Sequence, residues 1–220
     1  MNNTGSISNQ AAPGKNPRLV LFDFDGTLTR GDSFGAFMWY AVPLRSLISG
    51  CFKLLFQLPW LLLAPPKIRA ERAKAAILRV YFGGKTRHAL HEMGLRFYQN
   101  RLPAMLRPQL LEILRQHRDS GDTVALVSAS VDIWLQAFCD VECISLICTM
   151  LAYEEDVFRG NFATPNCNRE EKSWRIRETY ELRQFNTIIA YGNSSGDNAM
   201  FDLATEVWFC SRNGVLEKLR

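Results

Sequence analysis

The chain has 220 residues, 47% of them apolar, with a formal charge of +4 and a pI of about 8.8. That length suits one domain, or a core with a smaller inserted unit, and the apolar fraction is enough for a real core. The mild basicity fits an anionic substrate or membrane surface, but no Lys/Arg block or basic–aromatic stripe argues for nucleic acid.

Residues 1–16 are polar and small, lack the charged start and apolar run of a secretory signal, and are expected to be a disordered tail. Residues 19–22, Leu-Val-Leu-Phe, predict a buried parallel strand that runs into an acidic, glycine-containing loop, 23–31. The pattern returns at 124–127, ending in Ser128, and at 187–191, ending in Gly192-Asn193-Ser194. Residues 207–210 predict one more strand. Helical patterns lie between them: one opened by Pro108 and closed by Gly121, one over 132–140, and a charged one over 170–182. Strands alternating with helices imply an α/β fold, a Rossmann-like parallel sheet covered on both faces. Sites in such sheets form at the carboxyl ends of the strands, where the polar clusters fall.

Residues 34–105 break the rhythm. They show helical spacing, as at Leu90, Met93 and Phe97, and no convincing strand, so a helical cap is expected straight after the first strand loop. The organisation expected is a core of 17–33 and 106–220 with a cap of 34–105. Within the cap, residues 47–63 are apolar but short for a membrane span, and carry Lys53, Gln57 and Pro59. A cap-packing helix pair broken at Pro59 and a helix on a membrane surface are the competing readings.

Six cysteines without a C-x-x-C pair, and only three histidines (88, 91 and 117), exclude the common zinc spacings. Reduced, mostly buried thiols in a cytoplasmic protein are expected. The histidines fall on helical patterns outside the motifs and read as surface or packing residues.

Four loop features carry chemistry. Asp23-Phe-Asp25-Gly-Thr27 sets two carboxylates at i and i+2 on an extended loop, one able to attack and the other to move protons. Gly26 lets the chain turn beside an anionic group. A carboxylate attacks a dianionic phosphate poorly unless charge is neutralised, so a metal ion is implied. A turn with two solvated aspartates is the plain alternative. Ser128 can hydrogen-bond a phosphate oxygen or cap the next helix. Lys172 can neutralise a carboxylate and phosphate, or lie in solvent. Gly192-Asn193-Ser194-Ser195-Gly196-Asp197 offers two oxygen-bearing side chains four residues apart, as magnesium prefers, or a Gly/Ser turn capped by Asp.

In this order, the motifs resemble the haloacid dehalogenase superfamily over nearly all of the chain after residue 17, in its phosphoserine-phosphatase-like branch. The stretches 124–130, 166–172 and 191–200 carry the likeness to that branch. The opening 22–37 and the apolar cap segment also resemble phosphatidylglycerophosphatase C. The resemblance implies a phosphatase with Asp23 as nucleophile forming an aspartyl-phosphate and Asp25 as general acid and base. Ser128, Lys172, Gly26 and Thr27 would hold the phosphate. Asp23, Asp25 through its carbonyl, Asn193, and Asp197 directly or through water would hold Mg2+. Asp32 falls where the family's cap-hinge acid sits and would meet a substrate amine or cap the next helix. One departure stands out: Asn193 replaces the first acid of the last motif and removes a charge from the metal site.

The substrate is expected to be a phosphorylated small molecule or lipid, with no nucleic acid partner. A lipid such as phosphatidylglycerophosphate suits the apolar run, with Trp60 at a membrane interface and the protein at the inner membrane surface. Phosphoserine or another small phosphate would need cap charges facing the site, for which Arg72, Lys74 and Arg79 are the candidates. A catalytically weak binding or regulatory protein on the same fold is the alternative of another class, with Asn193 as its argument. A receiver-type domain is a third class, but it would need neither a second aspartate nor a cap.

Overall fold

The computed structural model describes residues 17–63 and 65–220. The expected tail, 1–16, lies outside the described residues, as does the Trp60 side chain. The chain runs β1 (Arg18–Phe22), α1 (Ser33–Ala41), α2 (Leu44–Leu62), α3 (Pro66–Phe82), α4 (Arg87–Asn100), α5 (Leu102–Met105) and α6 (Pro108–Asp119). It continues through β2 (Thr123–Val131), α7 (Asp132–Glu142), β3 (Ser145–Thr149), β4 (Leu151–Glu154), β5 (Val157–Phe162) and α8 (Glu170–Thr179). It ends with β6 (Thr187–Gly192), α9 (Asn198–Phe201), β7 (Glu206–Cys210) and β8 (Leu216–Lys218).

The main sheet has the order β3-β2-β1-β6-β7-β8, parallel except for β8. β1 lies between β2 and β6 because it is apolar on both faces. Val20 and Phe22 enter the core on one side, Leu19 and Leu21 the core on the other. Phe22 lies opposite Leu126 on β2 and Tyr191 on β6. The next residues of the three strands, Asp23, Val127-Ser128 and Gly192-Asn193, are therefore brought side by side. The connection into β2 ends in α6 on one face of the sheet and the connection into β6 passes through α8 on the other, which opens a crevice over the carboxyl end of β1.

Residues 33–105 form helices α1 to α5, in the place where the sequence predicts a helical insertion. Phe37 of α1 stacks on Trp134 of α7 at 4.7 Å and packs on Phe82 of α3 at 5.5 Å and Phe97 of α4 at 5.4 Å. Such a cluster contributes by its buried area and by its offset and edge-to-face geometry. Trp134 Nε1 donates to Ser33 Oγ at 2.9 Å and so fixes the first turn of α1.

Two departures from expectation concern the insertion and the stretch after β3. The break expected at Pro59 is absent: α2 runs continuously through it. Proline removes one backbone donor, but Pro59 is exposed, so water can serve the carbonyl freed one turn earlier. The antiparallel pair β4–β5 is the second departure. Its turn is Glu155-Asp156, both at positive φ, 46° and 63°. The primed turns of tight hairpins need that conformation, but Asn-Gly or Asp-Gly is its usual signature. Strands β3 and β8 were also without a sequence expectation. Of the six cysteines, four are buried and all are free.

Candidate active site

Asp23 leaves β1 in an extended conformation, with its N–H bonded to the Tyr191 carbonyl at 2.9 Å. Its side chain is buried. Thr27 Oγ1 donates to Asp23 Oδ2 at 2.9 Å, and Lys172 Nζ donates to Oδ1 at 2.7 Å. Both oxygens of the carboxylate are thus held. Gly26 turns the loop at φ +84°, and a Cβ there would lie 2.1 Å from the Asn193 amide nitrogen, so only glycine fits.

Asp25, two residues on, meets different partners. Oδ1 accepts the Ser33 N–H at 2.6 Å, from the first turn of α1, and Oδ2 accepts from Ser130 Oγ at 2.5 Å. Burial holds its carboxyl above the ordinary range, against the pull of those hydrogen bonds. An acid in that state keeps its proton more readily and can donate it.

Ser128 is buried at the edge of the crevice, and its Oγ accepts the Ser130 N–H at 3.1 Å. That bond leaves the hydroxyl proton free to point outward. Lys172, in the first turn of α8, is buried and bonds Asp197 Oδ1 at 2.6 Å as well as Asp23. Burial opposes its charge, but Asp23 and Asp197 outweigh burial and hold its pKa above the usual lysine range. Burial pushes Asp23 the other way, up to about 6, with Lys172 opposing. Asp197 Oδ2 accepts from the backbone N–H of Asn193 and Ser194 and from Ser194 Oγ at 3.0–3.1 Å. One oxygen of Asp197 is therefore saturated, and Oδ1 keeps one acceptor site beside Lys172.

Asp32 is the N-cap of α1 and accepts from the N–H groups of Phe34 and Gly35. Of the three candidate cations Arg72, Lys74 and Arg79, Lys74 reaches the end of β2, bonding the Ala129 carbonyl at 2.8 Å and Asn166 Oδ1 at 3.2 Å. Burial lowers its pKa, and Asp25 and Asp32 act against that. Arg72 and Arg79 line a groove of about 610 Å³ between α3 and β5, which none of the motif residues lines. Sequence reasoning missed Ser130 as a partner of Asp25. Its signal was present: Ser128 and Ser130, two apart on a strand, face the same way. The Ser33 N–H carried no sequence signal.

Among the described residues no group of three or more His, Cys, Asp or Glu could hold a metal ion. The loops at these strand ends offer instead oxygens of mixed type: the Asp23 carboxylate, the Asp25 carbonyl and the amide of Asn193, a residue whose side chain packs on Gly26. An all-oxygen set with few charges, leaving room for waters, fits Mg2+ and not the thiolate- and imidazole-seeking metals.

The sequence profile of the haloacid dehalogenase-like hydrolases matches residues 20–202. Protein CicA of Caulobacter vibrioides is 34% identical over 198 residues, 88% of this chain and 86% of CicA. Among solved structures, a protein of unknown function from Bordetella pertussis Tohama I is similar with a TM-score of 0.70 and 20% identity, over 87% of this chain and 89% of that one. A substrate-bound phosphoserine phosphatase is similar with a TM-score of 0.59 and 14% identity, over 88% and 86% of the two chains. These structural likenesses carry the fold, and with it the sheet whose strand ends gather Asp23, Ser128 and Asn193. The sequence match extends from β1 to the last motif loop, and on that ground the chain belongs to the haloacid dehalogenase-like hydrolase family.

Proposed function

We propose that the protein is a magnesium-dependent phosphomonoester hydrolase that works through a phosphorylated Asp23. The observation that carries this is the buried Asp23–Lys172–Asp197 chain beside an Asp25 held in a separate environment. Two carboxylates placed so differently suit two roles, nucleophile and acid. Residues 17–33 and 106–220 serve as the catalytic core and 34–105 as a cap over the crevice.

Asp23, ionised, attacks phosphorus in line with the ester oxygen, and the P–O ester bond breaks as the O–P bond to Asp23 forms. Asp25 gives its proton to the leaving oxygen. It then takes a proton from a water that attacks the phosphorus of the aspartyl-phosphate, which frees phosphate and restores the Asp23 carboxylate. Ser128, through its outward hydroxyl, Lys172 and the backbone of Gly26 and Thr27 hold the phosphate oxygens. Thr27 also orients Asp23, and Ser130 and Ser33 orient Asp25. Asp23, the Asp25 carbonyl and Asn193 would hold Mg2+, with Asp197 reached through water. The ion would neutralise phosphate charge against the attacking carboxylate.

The test is phosphate release from a panel of lipid, amino-acid and aryl phosphates, with and without magnesium. Release that ignores magnesium, or no release from any member, would reject the reading. The rank order of the panel decides between a lipid phosphate such as phosphatidylglycerophosphate, which the apolar cap helices favour, and phosphoserine, which Lys74 at the end of β2 favours.

Two expected results concern the metal. Asn193→Asp restores a charge to the donor set and should lower the half-saturating magnesium concentration by about 10-fold; an unchanged titration would remove Asn193 from the site. Asp23, pushed up to about 6 by burial, binds a proton in competition with the metal below that pH. The half-saturating magnesium should therefore rise as pH falls through 6, and a flat dependence would contradict Asp23 as a ligand.

A further inference from the structure

Among the described residues, eight of the twelve exposed large apolar side chains lie on α1, α2 and the residue after it: Trp39, Leu44, Ile48, Phe52, Leu55, Phe56, Leu62 and Leu63. Phe56 is 87% exposed and Trp39 73%. From Leu44 onward the spacing is that of one helical face. The opposite face of α2 is the one that packs. Gly50 admits the Tyr81 ring of α3, whose hydroxyl bonds the Leu47 carbonyl at 3.0 Å. A soluble surface seldom leaves so many neighbouring apolar side chains uncovered without a partner for them.

The charge around this face points to the partner's chemistry. From residue 33 to residue 70 the sequence has no Asp or Glu but carries Arg45, Lys53, Lys67 and Arg69. Arg45 and Lys53 are exposed on α2 itself. A second copy of the chain fits poorly, because a two-fold contact would set Arg45 and Lys53 against their own like charges. An anionic bilayer fits both features: apolar side chains enter the acyl boundary while cations meet the headgroups. No described helix is long and apolar enough to cross a membrane, so α2 would lie in the surface plane.

We infer that the outer face of α1 and α2 docks the protein on an anionic lipid surface. This deepens the lipid arm of the proposed function and rests on it only for the choice of substrate. The same helix α1 that carries Trp39 begins at Ser33, whose N–H is 2.6 Å from Asp25. Trp39 is six residues on, about 9 Å along the helix axis. Docking would thus bring the crevice close to the headgroup layer, where the phosphate of a lipid substrate lies.

The experiment is flotation of the full chain with phosphatidylcholine vesicles, with and without phosphatidylglycerol, in low and high salt. The parent should float with the phosphatidylglycerol vesicles, less so in high salt. The double variant Phe52→Ser/Phe56→Ser should lose at least 10-fold in bound fraction, and Lys53→Glu should weaken binding to the anionic vesicles only. Both should hydrolyse a soluble aryl phosphate as the parent does, which shows they are folded. Asp23→Asn should float like the parent, so vesicle binding is read separately from turnover. A parent that stays unbound with both vesicles, or a double variant that floats equally well, would overturn the inference. So would a parent dimer that the double variant converts to monomer, which would assign the face to a second copy.

Discussion

Asp23→Asn is expected to lower magnesium-dependent phosphate release by about 10³-fold or more, because it removes the carboxylate proposed to attack the phosphorus of the substrate. The asparagine keeps the size of the side chain and can still accept from Thr27 or Lys172. Lys172 also keeps its second carboxylate, Asp197, at 2.6 Å. The loss should therefore appear in kcat with the fold intact, as read by an unchanged circular dichroism spectrum and a small shift in Tm. A variant that retains more than about a tenth of parental turnover would exclude Asp23 as the nucleophile. A parent that takes up the phosphoryl group but releases it only over minutes would instead favour the regulatory reading.

Lys172→Met should have the largest effect on stability. The ammonium is buried between two carboxylates that are themselves buried. Removing it leaves two like charges facing each other without water, a situation that costs about 3–5 kcal/mol. The pH dependence follows from the directions of the shifts. Lys172 has its folded pKa raised above the ordinary 10.5, so its contribution is fully present below 10.5 and lost only as pH rises through the folded value. In the variant, the Asp23 carboxyl, already pushed up to about 6 by burial, relieves the repulsion by taking up a proton. The deficit should be full at neutral pH and shrink as pH falls through the acid range. Urea midpoints of parent and variant at about pH 7.5 and pH 5 check this. An equal deficit at both would mean that packing, and not charge, is what the lysine supplies.

The catalytic core was legible because its information is local. Short apolar runs predict β1, β2, β6 and β7, and the Asp23 and Asn193 motifs sit just past strand ends, while Ser128 lies within β2 and Lys172 in the first turn of α8. What the runs could not supply is the pairing across 149 residues that puts Lys172 on Asp23. The order of the motifs supplied it, through resemblance. The hairpin β4–β5 escaped because Glu155-Asp156 occupies a turn that other residues usually mark. Ser33 reaches Asp25 through a backbone N–H, which no residue type advertises. The exposed face of α2 was beyond sequence for a different reason. Both faces of that helix are apolar, so periodicity cannot say which one the rest of the chain covers. Only the packing of Tyr81 on Gly50 decides it.

The central claim is a covalent bond between phosphate and Asp23. Its most direct test is an acid quench of the parent protein during turnover, followed by cleavage after arginine and mass analysis of the peptide 19–30, which holds both Asp23 and Asp25. A hydroxylamine-labile phosphoryl group on Asp23, absent without magnesium and absent in Asp23→Asn, is the predicted result. Steady release of phosphate with the peptide unmodified at every time, or with the group on Asp25, would contradict it.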